Sequence, residues 1–199
     1  MSQIFIKQLA NAWRILSFAA VGIVLISAPA RSEPFLLPVQ GGGGGGGFFA
    51  ACPPDHFVVG LRGRTGAWID NMRLICAHGG VPNLGAPFDH GFVIGNSVGG
   101  ADAVAQCPRN TFVGNIRFNT VNTHGDDGFV VINTIEIFCF NNNGEFVTTR
   151  HFAQDDGPHT GGHPDRSSNC PDNPRMALIG LHGRHGLFVD AIGGVCDRF

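Results

Sequence analysis

The stretch Phe57-Val58-Val59-Gly60-Leu61-Arg62-Gly63-Arg64-Thr65-Gly66-Ala67-Trp68-Ile69-Asp70 is opened by Cys52-Pro53 and closed by Cys76. Near the chain's end it is answered by Leu178-Ile179-Gly180-Leu181-His182-Gly183-Arg184-His185-Gly186-Leu187-Phe188-Val189-Asp190, set between Cys170-Pro171 and Cys196. A looser middle copy runs from Cys107-Pro108 through Phe112, Val113, Ile116 and Arg117, adds residues around His124 to Gly128, and returns through Val130-Val131-Ile132 to Cys139. A unit this short cannot bury its own apolar face, so three copies predict one threefold body rather than separate domains.

Within each copy the apolar residues alternate, are β-branched or aromatic, and break at Gly, Asn and Pro. That is the pattern of short strands and turns, with no long stretch of helical period. If Thr65-Gly66 forms a two-residue hairpin loop, Val59, Leu61, Trp68, Met72 and Leu74 share an inward face, and Val58, Arg62, Arg64, Asn71 and Arg73 the outward one. The same register places Ile179, Leu181, Phe188 and Ile192 inside, with His182 and Arg184 outside. The linkers Ala77 to Gln106 and Phe140 to Asn169 carry Phe92-Val93-Ile94 and Phe146-Val147, enough for further strands. The expectation is three antiparallel sheets of about four strands around a pseudo-threefold axis, with few free edges.

Residues 1–30 stand apart. Lys7 and Arg14 precede an apolar run from Ile15 to Ile26, and Ala28-Pro29-Ala30 follows as a small-residue cleavage pattern. This reads as a signal peptide, its core shorter than the ~20 residues of a spanning helix. A secreted or periplasmic protein with no membrane span after cleavage is expected. Residues 31–44 read as a flexible Pro/Gly-rich leader, and 45–199 as a single three-repeat β domain with repeats at about 45–98, 99–160 and 161–199. Gly-Gly pairs precede the later repeats at Gly99-Gly100 and Gly161-Gly162, so the last glycines of the run Gly41 to Gly47 are expected to open the first repeat's strand.

All six cysteines follow the leader, an even count that marks a disulfide framework in an exported chain. The repeat favours three local bridges, Cys52 to Cys76, Cys107 to Cys139 and Cys170 to Cys196. No two cysteines stand at the close spacing of zinc knuckles. Without Lys7 and Arg14, eleven of the thirteen basic residues face fifteen acidic ones. Such a balance supplies neither a basic footprint for nucleic acid nor a polybasic patch for anionic lipid.

The thrice-repeated strand, Gly turn and aromatic-Ile/Val-Asp return resembles β-prism proteins, namely the jacalin-related lectins and the vitelline membrane outer layer proteins. It is also similar to bacterial exported proteins with Cys-Pro and Gly-Arg-x-Gly-x-Trp-Ile-Asp repeats. The lectin resemblance implies sugar binding by a Gly-x-x-x-Asp loop, a spacing present at Gly66 to Asp70 and Gly186 to Asp190. In the middle copy Gly128 is followed four residues later by Ile132, with Asn133 one place on, so the motif is broken. The cysteines pull toward the vitelline membrane proteins, which are bridged where the lectins usually are not.

A saccharide site needs a carboxylate for hydroxyl donors, backbone donors bared by glycine, and an apolar wall. The candidate carbohydrate-binding residues are Arg64, Gly66, Trp68 and Asp70, with Arg184, His185, Gly186, Phe188 and Asp190. The competing reading is a plain turn, in which Gly supplies the backbone, the aromatic faces the core and the Asp bonds turn amides. The histidines, including His159 and His163 across two glycines, read as solvated loop residues. Asp126-Asp127-Gly128 and Asp155-Asp156-Gly157 lack the ligand order of a calcium loop. No metal or other cofactor is expected, and no catalytic motif is found. The expected function is a secreted, lectin-like carbohydrate-binding protein at a cell surface or extracellular matrix. The alternatives are a structural envelope or matrix protein and, third, a carbohydrate-active enzyme.

Overall fold

The structure, a computed structural model, describes residues 33–79, 83–126, 129–152, 166–172 and 175–198, and the side chains of 124–126 are not among those described. Residues 1–30, His159 to Gly162, His163, Asp155-Asp156-Gly157 and the side chains of Asp126-Asp127-Gly128 therefore lie outside it, and with them the expected leader peptide and two of the loop readings. The described elements are all strands: β1 (Phe35–Leu36), β2 (Gln40–Gly41), β3 (Gly46–Ala51), β4 (His56–Thr65), β5 (Ile69–His78), β6 (Phe88–Ile94) and β7 (Ala101–Gln106). They continue as β8 (Thr111–Asp126), β9 (Val130–Asn141), β10 (Phe146–Phe152), β11 (Arg166–Asn169), β12 (Met176–His185) and β13 (Val189–Arg198).

They make three antiparallel sheets, one around each hairpin: β6-β5-β4-β7, β10-β9-β8-β11, and β1-β13-β12-β3 with β2 also on β13. The fold is an all-β, three-repeat β-prism. The strand leading into each Cys-Pro does not join its own hairpin. β7 pairs with β4, β11 with β8, and β3 closes the ring on β12. Every sheet thus borrows its last strand from the next repeat, and the first repeat supplies the third. The segment expected as a flexible leader carries β1 and β2, both paired to β13.

The disulfides follow from this exchange. Cys52, Cys107 and Cys170 stand where a borrowed strand leaves one sheet, and Cys76, Cys139 and Cys196 lie in the hairpin of the next. Each bridge therefore staples two sheets at a corner and closes a separation of 24, 32 or 26 residues, about 3 kcal/mol apiece on chain-entropy grounds. At each corner the first cysteine's N–H donates to a bulged carbonyl of the sheet being left: Cys52 to Ile179 at 2.7 Å, Cys107 to Val59 at 2.8 Å, Cys170 to Gly114 at 3.2 Å. The turn after Cys-Pro is a local event. Asp55 and Asn110 take φ of 63° and 62°, a conformation these side chains tolerate, and the chain bonds back to Pro53 and Pro108.

Those bulges correct the two-residue-loop register. Val58 pairs with Cys76 and Gly60 with Ile75, so Val59 is skipped. Val58 then joins Leu61, Met72 and Leu74 in the main core, while Val59 packs in a small separate cluster with Ile75 and Ala77. Leu178, not Ile179, is the third repeat's core residue for the same reason. The loop itself holds three residues, Gly66-Ala67-Trp68, between the paired Thr65 and Ile69. Trp68 and Phe188 consequently sit at the hairpin tips, half-buried, rather than inside the core. The core gathers Leu61, Met72, Ile116, Phe118, Ile135, Leu181 and Ile192 from all three sheets, with all six cysteines among them. Truncating one of its fully buried leucines, such as Leu61, costs about 2–5 kcal/mol.

Candidate functional site

The tips of the first and third hairpins meet, and β9 of the second reaches the first. The ring of Trp68 stands edge-to-face against Phe188 at 5.6 Å, the Asn133 amide donates to the Ala67 carbonyl at 3.1 Å, and the Leu187 carbonyl accepts from the N–H groups of Asn96 and Ser97. A second bulge in each hairpin leaves one residue out of register, just after the tip in the first and third hairpins and as the fourth residue of β9 in the second. Thr65 pairs with Ile69 and Arg64 with Asn71, leaving Asp70; His185 pairs with Val189 and Arg184 with Ala191, leaving Asp190; Thr120 pairs with Ile132 and Asn119 with Thr134, leaving Asn133. Asn133 is therefore the middle repeat's counterpart of the two aspartates. Its amide is engaged with the first hairpin, and the Gly-Gly that would stand over it, Gly161-Gly162, lies outside the described residues.

The borrowed strand brings a glycine loop over each aspartate. Gly44 and Gly45, entering β3, cover Asp190, and a Cβ on either would come within 2.9 Å of Oδ1 or 2.6 Å of Oδ2. Gly99 and Gly100, entering β7, cover Asp70 with the same two separations. Gly45 and Gly100 have φ of +60° and +63°, so the approach needs glycine for backbone as well as for space. Asp190 and Asp70 are only 6 % and 5 % exposed, roofed by glycine backbone and, at Asp70, by Ser97 as well.

Arg64 and Arg184 hold those roofs. Arg184 donates from Nε to the Gly44 carbonyl at 2.8 Å and from Nη2 to Gly45 at 2.6 Å. Arg64 repeats this on Gly99 at 2.7 Å and Gly100 at 2.6 Å, and adds Asp102 at 2.8 Å. Both arginines are therefore positioning residues. With the carbonyls turned to arginine, the glycine loop is fixed against the carboxylate.

The two aspartates differ in their partners. Ser97 Oγ donates to Asp70 Oδ1 at 2.6 Å, is itself met by the Gly99 N–H at 3.2 Å, and has its carbonyl held by the Asn71 amide at 2.7 Å. Asp190 has no such hydroxyl, because the corresponding stretch of loop is Gly42-Gly43. Its Oδ2 is buried with no hydrogen-bond partner in the protein. Burial raises its pKa above the usual 3.8, opposed by the neighbouring Arg184 guanidinium and by the Gly186 amide. That amide's own hydrogen bond goes to the Phe188 carbonyl at 3.0 Å, so it favours the charged form without satisfying Oδ2. His185 turns its Nδ1 to the Gly95 N–H at 3.0 Å, linking this hairpin to the loop over Asp70, and packs edge-on against Phe48.

Of the residues singled out in the sequence, the structure brings Gly66, Asp70 and Arg64 together in one place and Gly186, Asp190, Arg184 and His185 in another. Trp68 and Phe188 pack against each other between the two. Ser97 and the glycines Gly44, Gly45, Gly99 and Gly100 were not among the expected site residues. The repeated Gly-Gly ahead of each Cys-Pro was their signal in the sequence, and strand exchange is why it points to the preceding repeat.

No family model matches the chain, and no curated protein matches it. Solved structures do. Artocarpin, a lectin with mannose specificity, superposes with a TM-score of 0.56 at 16% identity, over 83% of this chain and 99% of its own. The Malaysian banana lectin gives 0.57 at 18% identity over 84% and 100%. A mannose-specific jacalin-related lectin from Morus nigra, in complex with mannose, gives 0.55 at 18% over 85% and 98%. At such identities the likeness is one of fold, and it establishes that the chain is a β-prism of the architecture seen in jacalin-related lectins.

Proposed function

We propose that the protein is exported and binds glycans through the hairpin-tip loops at Asp190 and Asp70, acting by binding rather than by catalysis. The observation that carries this reading is the partnerless Oδ2 of Asp190 beneath a roof of glycine backbone. An unmet buried acceptor costs about 1–3 kcal/mol, and a sugar hydroxyl is a donor that would meet it once the Gly44-Gly45 loop lifts off the carboxylate. Gly186 and Gly45 bare the surrounding backbone, and the Trp68–Phe188 pair offers an apolar edge beside it. Export is supported by three disulfides, which persist in oxidising compartments.

Mannose and its oligosaccharides are the first to test, because artocarpin has been solved in complex with mannotriose and the Morus nigra lectin in complex with mannose. A glycan array on the oxidised protein, with Asp190→Asn and Asp70→Asn beside it, decides the matter. Binding lost in Asp190→Asn supports the reading; binding that survives both substitutions places the sugar elsewhere. Concentration-dependent assembly indifferent to every glycan would favour a structural matrix role instead.

A further inference from the structure

The three sheets can be compared position by position, and one cross-strand pair on their outer faces differs in a telling way. In the second sheet Arg117 stands opposite Glu136, with its guanidinium 4.9 Å over the Phe138 ring. In the third sheet the pair is His182 and Gly193, and residues 37–38 cover it: His182 Nε2 meets the Leu37 carbonyl at 2.8 Å, and a Cβ on Gly193 would come within 3.0 Å of the Pro38 carbonyl. In the first sheet the same position holds Arg62 opposite Arg73. Like charges directly opposed across antiparallel strands repel, and no segment equivalent to residues 37–38 lies over this pair among the described residues.

Arg62 and Arg73 line a groove of about 490 Å³ with Arg64, Asn71, Val93 and Ser97. Two carboxylates face it. Asp89 meets Arg62 Nε at 3.2 Å, and Asp102 takes one arm of Arg64, whose other arms hold the glycine loop. Arg73 is half-buried and, among the described residues, makes no hydrogen bond or ion pair. Three guanidinium groups against two carboxylates leave one positive charge without a counter-ion. Two guanidinium forks on neighbouring strands suit the planar or tetrahedral oxygens of a carboxylate or sulfate.

We infer that the outer groove of the first sheet is an oxyanion site in which Arg73 and Arg62 grip the carboxylate or sulfate of an acidic polysaccharide. The arginine pair argues for the anion by itself. The choice of a saccharide as its carrier rests on the glycan-binding function proposed above, and on the groove's sharing Asn96, Ser97 and Val98 with the loop over Asp70. The first repeat would then read the charge of an acidic glycan, beside an aspartate already bonded to Ser97.

The test is calorimetric titration of the oxidised protein at low salt with tetragalacturonate, an O-sulfated tetrasaccharide, a neutral tetrasaccharide, inorganic sulfate and a single-stranded oligonucleotide. Tighter binding of the two acidic sugars than of the neutral one, weakened by added salt and cut roughly tenfold by Arg73→Gln or Arg62→Gln, is expected. Arg73→Glu should fold normally, since it rebuilds the arrangement of Arg117 and Glu136, and should abolish the acidic-sugar preference. Acidic-sugar binding unchanged in all three variants overturns the site. Inorganic sulfate binding as well as the sugars, or the oligonucleotide binding better, overturns the saccharide as carrier. Asp190→Asn separates the two claims: it should spare acidic-sugar binding at the groove while removing neutral-glycan binding, so either can fail without the other.

Discussion

The first and third hairpins present the same loop beneath the same pair of glycines, and the same arginine clamps the roof in each. At Asp70 the protein itself supplies a hydroxyl through Ser97. At Asp190 the covering loop is all glycine and Oδ2 goes without a donor. Ser97 shows what the geometry accommodates: an alcohol on a carboxylate, brought in from the loop between β6 and β7. The third repeat keeps the receptor and omits that internal donor. One hydroxyl thus separates a carboxylate engaged at Oδ1 from one that lacks this donor and whose Oδ2 also goes unmet.

The strongest way to break this comparison is Asp190→Asn, which removes the charged acceptor. A hydrogen bond to a charged group is worth about 1.5–3 kcal/mol, roughly 10- to 100-fold in affinity. Asp70→Asn should change the same titration far less; equal losses would mean that the repeats are equivalent after all. Gly45→Ala comes next. Its Cβ would run into the His185 carbonyl and Asp190 Oδ2 at a φ of +60°, costing about 1–3 kcal/mol of stability in denaturant titration and removing glycan binding at the third repeat while the first keeps its loop.

Acidity supplies a milder test. Because burial raises the pKa of Asp190, the folded protein holds this proton more tightly than the unfolded chain does. Its contribution to stability is therefore full below the usual 3.8 and is lost as pH rises through the higher folded value. The ionised carboxylate at neutral pH works against the fold. Asp190→Asn should thus raise the Tm slightly at neutral pH even as it removes binding, and a lowered Tm would reveal a structural aspartate. Glycan affinity of the unaltered protein should fall as the pH drops through that raised value. Smallest of all, Ser97→Gly frees Asp70 Oδ1 and should sharpen the comparison in reverse, with a gain of a few-fold at most in glycan affinity and a small loss of stability from the missing bond.

Much of this was written plainly in the chain. Alternating apolar residues, the glycine tips and the symmetric cysteines sufficed for three hairpins in one body, because strand period and turn chemistry are local. The Val59 and Ile179 bulges were not legible. Skipping one residue reverses the face of the side chain before it, so Val58 and Leu178 enter the core in place of Val59 and Ile179, and the skipped carbonyl bonds a cysteine N–H one repeat away. Trp68 was misplaced for the same reason, since a three-residue tip turns it out of the core toward Phe188. Asp70 and Asp190 were legible as loop residues, while their burial beneath glycines some thirty to well over a hundred positions away was not.

The sequence by itself determined the hairpins, their number and the cysteines that staple them, since each depends on residues near one another along the chain. Only the tertiary structure decided which glycines roof which aspartate, why Ser97 and not Gly42-Gly43 carries a hydroxyl to one, and which arginines stand unopposed on a sheet. Those are consequences of strand exchange around the axis, where each sheet is completed by residues from another repeat, and no local pattern records the partner.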